Sequence, residues 1–171
     1  IKVGYGMDEG IEMGPVIDAK SKEFITGLID DAEARGARIV LDGRGLVVPG
    51  HEGGHFLGPT VVDDVPLESP LYTEEVFGPV LTVQEFSSDD EALALANGVD
   101  YALSSSIWTT DHQRVLRFSR DLDFGCVWVN SHIPLVAEMP HGGFKRSGYG
   151  KDLSVYGVED YTRIKHVMSA L

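Results

Sequence analysis

With 171 residues, 43% of them hydrophobic and 24% charged, the chain has the composition of an ordinary globular protein with enough apolar mass for a core. Twenty-seven acidic against 14 basic residues give a net charge of −13; this argues against a nucleic-acid partner, because neutralising phosphates needs a basic patch. No apolar run approaches the ~20 residues that cross a bilayer, and a single cysteine, Cys126, leaves no internal disulfide and fits a reducing, cytoplasmic setting. The acidic residues are scattered (Asp30, Asp31, Glu33; Asp63, Asp64; Asp89, Asp90, Glu91) and read as solvated surface. The opening IKVGYGMDEG resembles neither a signal nor a transit peptide, and a start at Ile1 leads us to expect a fragment or a processed chain.

In chain order, residues 20–35 place Phe24, Ile25, Leu28, Ile29 and Ala32 at helical spacing, with Gly36 just past the end. RIVL (38–41) reads as a short strand, and the glycine-rich residues 42–58 as a loop or irregular hairpin. VLTVQEF (80–86) reads as a strand, followed by a capping box of Ser88 and Glu91, a helix through EALALAN, and a stop at Gly98. SSSIWTT (104–110) is a second strand, Asp111–Leu122 a second helix and CVWVN (126–130) a third strand. That alternation predicts an α/β fold with a parallel sheet and flanking helices, whose ligands bind at the carboxyl ends of strands. Functional interest therefore falls on the loop 131–150, which is long, glycine-rich and unusually apolar. YTRIKHVM (161–168) reads as a terminal strand after a short helical stretch.

Several motifs tempt and are set aside on physical grounds. His51-Glu52-Gly53-Gly54-His55 spells the zinc-protease pattern, but that chemistry needs both histidines on one face of a helix. Two glycines in the middle, Pro49-Gly50 before and Gly58-Pro59 after predict a loop. Cys126 lies at an apolar strand without a cationic neighbour in sequence, where a small buried thiol packs. In GGFKRSG (142–148) Arg146 separates the lysine from the serine, so a phosphate loop is not formed. EEVFGP (74–79) carries chemistry more directly. Two carboxylates, Glu74 and Glu75, stand beside an aromatic, Phe77; a carboxylate can accept from both hydroxyls of a ribose, and an aromatic can pack against a flat ring. By composition alone the same segment reads as a solvated loop.

The order of motifs is more specific than any one of them. MGPVID (13–18), FLGPTVVDDV (56–65), EEVFGPVLTV (74–83), VWVN (127–130), PHGGFKRSGYGKD (140–152) and GVEDYTRIKHV (157–167) together resemble the C-terminal part of the aldehyde dehydrogenase superfamily. The segment VNSHIPLVAEMPHGGFK most resembles the γ-aminobutyraldehyde and betaine aldehyde branch. The resemblance implies that residues 1–156 are the later portion of the catalytic domain and 157–171 an oligomerisation arm. It implies NAD or NADP as cofactor, an aldehyde as substrate and a homo-oligomer formed through the C-terminal strand. It places Glu75 on the nicotinamide ribose, Phe77 near the nicotinamide, and Leu135 and His141 on the wall of the aldehyde tunnel; Asn130 would end the third strand and orient the following loop. The cysteine nucleophile, the general base and the cofactor domain precede these residues in the family, so no catalytic residue and no metal ligand is expected within the chain. Two other readings are a stand-alone assembly or binding module, pairing YTRIKHVM with another subunit's sheet edge, and a zinc hydrolase built on His51 and His55.

Overall fold

Helix α1, Ala19–Ala34, begins where Asp18, in extended backbone, accepts from the Ser21 amide at 2.7 Å. The computed structural model describes residues 1–170. The predicted stripe of α1 is buried through Ile25, Leu28, Ile29 and Ala32, the i, i+3, i+4, i+7 spacing of one helix face. Phe24, expected with them, is instead 52% exposed, because it falls on the edge of that stripe. The helix ends as Gly36 foresaw: with φ 103 it donates to Glu33 O, and Ala37 donates to Ala32 O at 3.0 Å, satisfying carbonyls that α1 leaves open.

The chain divides into two compact units, Ile1–Glu85 and Phe86–Leu171. In the first, strand β1 (Arg38–Leu41) pairs antiparallel with β2 (Thr60–Asp63), which pairs parallel with β3 (Val80–Val83), giving the order β1-β2-β3. A short helix α2, Pro70–Thr73, is capped by Ser69 and starts on proline, whose missing N–H costs nothing there. The core packs Leu28, Ala32, Ala37, Val62, Val65 and Leu71 in one cluster, and Ile25, Ile29 and Leu57 in another. Arg44 ties loop 42–46 to α1 through Asp30 at 2.5 Å and Glu33 at 2.8 Å, and its hydrogen bonds hold the Asp42 carboxyl down at about 2.

In the second unit, α3 (Asp89–Asn97), β4 (Tyr101–Ala102), β5 (Ser104–Ile107), α4 (His112–Asp121), β6 (Cys126–Val129), β7 (Phe144–Lys145) and α5 (Ser154–Asp160) follow in order. β5 and β6 pair parallel, Ser104 opposite Cys126 through Ile107 opposite Val129, as the strand-helix-strand alternation predicts. β4 and β7 pair antiparallel. Leu93 of α3 packs with Phe118 and Leu122, and Ile107 and Val127 lie against them. Arg114 reaches Asp89 at 3.1 Å, and Arg117 pairs with Asp90, joining the two helices on their solvent side.

The α/β class is as expected, with three corrections. The expected parallel pairing is present in β2–β3 and β5–β6, but the sheets are mixed: β1–β2 and the two-residue β4–β7 ladder are antiparallel. Ser88 caps α3 as foreseen, but Glu91 reaches back to the amide and hydroxyl of Ser87, one residue earlier than a capping box requires. Residues 162–170, read as a terminal strand from sequence, form no strand in the single chain. A terminal strand needs a neighbouring edge to satisfy its backbone groups. Leu171, the last residue of the expected arm, lies outside the described residues.

Candidate cofactor-facing and substrate-facing loops

Residues 74–79 link α2 to β3, and two fixed points determine their shape. Val76 turns inward and packs against both core clusters of the first unit. Gly78 lies against α1, where a Cβ would stand 2.6 Å from Ile25 Cδ1, a side chain that is itself only 1% exposed. Between them Phe77 adopts a left-handed backbone, φ 51, and its ring projects outward, 82% exposed. Such a conformation is uncommon for an aromatic residue and persists where its surroundings dictate it. Glu75 is exposed, and its carboxylate meets no hydrogen-bond or ion-pair partner among the described residues. Glu75, Val76 and Phe77 line a recess of about 410 Å³ together with Ile17, Ser21 and Phe24. The two cofactor-binding candidates therefore share one cavity. Sequence reasoning did not find Phe24 as part of it, because helical counting assigned that residue to the core.

In the second unit, β6 ends at Val129, and Asn130 just after it takes φ 51. Its backbone amide donates to Ile107 O at 2.8 Å, while its side chain brackets Thr109, accepting from the amide at 2.8 Å and donating to the carbonyl at 2.9 Å. Asn130 thus clamps the ends of β5 and β6 and sets the departure of the loop, the part that the family resemblance implies for it. Leu135 on that loop is 51% exposed, and Glu138 is exposed. His141 is half-buried: its Nδ1 lies 2.9 Å from Asp152 Oδ1, and the two residues exchange backbone hydrogen bonds at 3.0 and 2.8 Å. The recess beside His141, about 460 Å³, is lined by Leu103, Ser147, Tyr149, Asp160 and Tyr161 among others, and Leu135 is not part of its wall. The two substrate-facing candidates are therefore not brought onto one cavity within this unit.

The segments set aside from sequence are structurally consumed. His51–His55 is a turn, with His51 stacked on Tyr5 at 5.0 Å and Glu52 accepting from the Gly50 amide, a bond that holds its carboxyl below the usual range. The zinc-hydrolase reading lacks the helix that would bring both imidazoles to one metal, and among the described residues no three His, Cys, Asp or Glu side chains gather as a metal site. Lys145 donates to Asn97 O at 2.9 Å and Val99 O at 3.2 Å and pairs with Asp123, so it is not offered to a phosphate. Cys126 is half-buried on β6, where burial pushes the thiol up, against the direction a nucleophile needs.

Residues 1–167 match the aldehyde dehydrogenase family. The chain belongs to that family. It is 42% identical over 170 residues to the chloroplastic betaine aldehyde dehydrogenase of Beta vulgaris, covering 99% of the chain and 33% of that protein. Over 168 residues it is 40% identical to the peroxisomal aminoaldehyde dehydrogenase 1 of Malus domestica, again covering 33% of that protein. The chain thus spans about a third of the length of the curated relatives it matches. Among solved structures, the betaine aldehyde dehydrogenase of Staphylococcus aureus in complex with NAD+ matches at a TM-score of 0.86 and 38% identity, over 94% of this chain and 32% of that one. An NADP dependent enzyme of E. coli matches at 0.86 and 36% identity, over 96% and 34%. The aldehyde dehydrogenase resemblance read from the motif order is therefore borne out, down to relatives named for betaine aldehyde and aminoaldehydes. The named compartments of these relatives are the chloroplast and the peroxisome, and no helix among the described residues is long and apolar enough to cross a membrane.

Proposed function

We propose that this chain forms the later part of the catalytic domain of an NAD(P)-dependent aldehyde dehydrogenase that oxidises an aminoaldehyde to its carboxylic acid. The observation that carries the proposal is the shared recess of Glu75 and Phe77, in which an unpartnered carboxylate and an outward aromatic ring face one cavity. These groups fit a ribosyl-nicotinamide: Glu75 accepts from ribose hydroxyls through its free lone pairs, and Phe77 offers a flat apolar surface to a planar ring. The cofactor, when bound, accepts hydride from the substrate. NAD and NADP both fit, since relatives of each kind share the fold. Leu135 supplies an apolar wall for the aldehyde chain. His141 supplies a polar one through Nε2, the ring nitrogen not taken by Asp152. Glu138 attracts a cationic head.

On the family resemblance the nucleophile is a cysteine thiolate outside these residues; Cys126 lies half-buried on β6, an apolar strand position that does not favour that role. We further propose that residues 161–168, with Ile164 and Met168 100% and 83% exposed, add a strand to the sheet edge of a second copy and build a homo-oligomer. The single cysteine supports a reducing compartment such as the cytoplasm.

The test is a substrate panel on the full-length gene product. γ-Aminobutyraldehyde and betaine aldehyde should be oxidised with kcat/KM about 10-fold or more above hexanal, the selectivity that one well-placed charged contact provides. Equal or reversed preference would remove the aminoaldehyde assignment and leave the family.

A further inference from the structure

We propose that His132 is a positioning residue: by clasping Ser106 and Trp128 it fixes loop 131–136 and hence the wall that Leu135 presents to the aldehyde. The proposal rests on the dehydrogenase reading above. Ser106 and Trp128 are register partners on the parallel pair β5–β6, so their side chains stand side by side on one face. The chain returns to them four residues later. His132 Nδ1 lies 2.7 Å from Ser106 Oγ, and its ring meets Trp128 edge-on, with centroids 5.4 Å apart and planes at 75°. Trp128 in turn donates from Nε1 to Pro134 O at 2.9 Å. The loop is thus fastened on both sides of Ile133.

Ile133 itself shows why the fastening is needed. It is β-branched, 64% exposed, and held at φ 72. A β-branched residue avoids the left-handed region, because Cβ crowds the carbonyl, and it stays there only when its neighbours leave no alternative. Its own side chain is largely in solvent and supplies little restraint; the bonds at 132 and 134 do. Leu135 follows directly, so releasing His132 lets Ile133 relax to negative φ and swings Leu135 from its place. Asn130 fixes where the loop leaves β6, and His132 fixes where it goes next.

Hydrogen exchange at amides 131–136 and steady-state kinetics with γ-aminobutyraldehyde and hexanal, both on the full-length protein, test this. His132→Ala should speed exchange in that segment and change the ratio of the two kcat/KM values about 10-fold, the loss of one hydrogen bond and one ring contact. The change should come through KM, with kcat held within about two-fold, since no reacting atom is touched. His132→Asn, whose amide can reach Ser106, should restore both readouts most of the way. Unchanged exchange, or an unchanged ratio in an active enzyme, would overturn the positioning role. So would a fall in kcat that Asn fails to rescue. If the wild-type protein oxidises neither aldehyde, the dehydrogenase reading has failed rather than the clasp; exchange then decides alone, faster in the alanine variant sustaining it and unchanged overturning it.

Discussion

Gly125→Ala in the full-length protein is expected to lower the free energy of unfolding by about 1–3 kcal/mol, the usual cost of forcing a methyl into filled space. Gly125 leads into β6 and donates to Ala102 O at 3.1 Å, which sets its distance from β4. A Cβ at this position would stand 1.7 Å from Gly142 O and 2.8 Å from Gly142 C. Both are backbone atoms and cannot rotate away as a side-chain terminus can. Gly142 is itself fixed, because Lys151 Nζ donates to its carbonyl at 2.9 Å and to Gly143 O at 3.1 Å. The methyl therefore displaces residues 142–143, with His141 on one side and β7 on the other. Urea unfolding should show a lower midpoint at an unchanged slope, as expected when stability changes without a change in compactness. Activity toward the aldehyde should fall with it, through KM. A midpoint equal to wild type would mean that the two segments do not cross as closely as this.

Glu75→Ala should lower kcat/KM for NAD(P) by roughly 10- to 100-fold, the worth of hydrogen bonds to a charged acceptor. Glu75 is exposed and unpartnered, so the same change should leave the melting temperature of the cofactor-free protein almost unmoved. That separation distinguishes a ligand contact from a structural one. Glu75→Gln, which keeps a single acceptor oxygen, should fall between. Its neighbour Glu74 is the C-cap residue of α2 and does not line the recess, so Glu74→Ala should leave the cofactor constant near wild type. If both substitutions behave alike, charge near the recess matters and a specific ribose contact does not.

How much of this was legible in the sequence depends on how local each feature is. The α1 stripe, its stop at Gly36 and the Ser88 cap depend on neighbours within a turn or two, and the β5–α4–β6 unit on three consecutive elements; all were readable. Pairing between elements that are not consecutive in such a unit was not. β4 and β7 are two residues each and meet across some forty residues of chain, leaving no periodicity to find. β3 was read with the strands that follow it, although its partner β2 precedes it. In the site, Glu75 and Phe77 announced themselves as a carboxylate and an aromatic beside Gly-Pro, and the family resemblance gave them roles. The inward turn of Val76 and the tight seat of Gly78 on Ile25, which make Phe77 face outward, are tertiary facts. The Ser106–His132 bond spans 26 residues and joins two side chains that no motif pairs.

NAD(P)H formation should be followed spectrophotometrically with γ-aminobutyraldehyde, in parallel for the full-length gene product and for the purified 171-residue chain. Turnover by the full-length protein and none by the chain is the predicted result, since on the proposed reading the recess of Glu75 and Phe77 would orient a cofactor while the attacking thiolate would be supplied from elsewhere. Aldehyde-dependent NAD(P)H formation by the 171-residue chain would contradict it and would return Cys126 to consideration as the nucleophile.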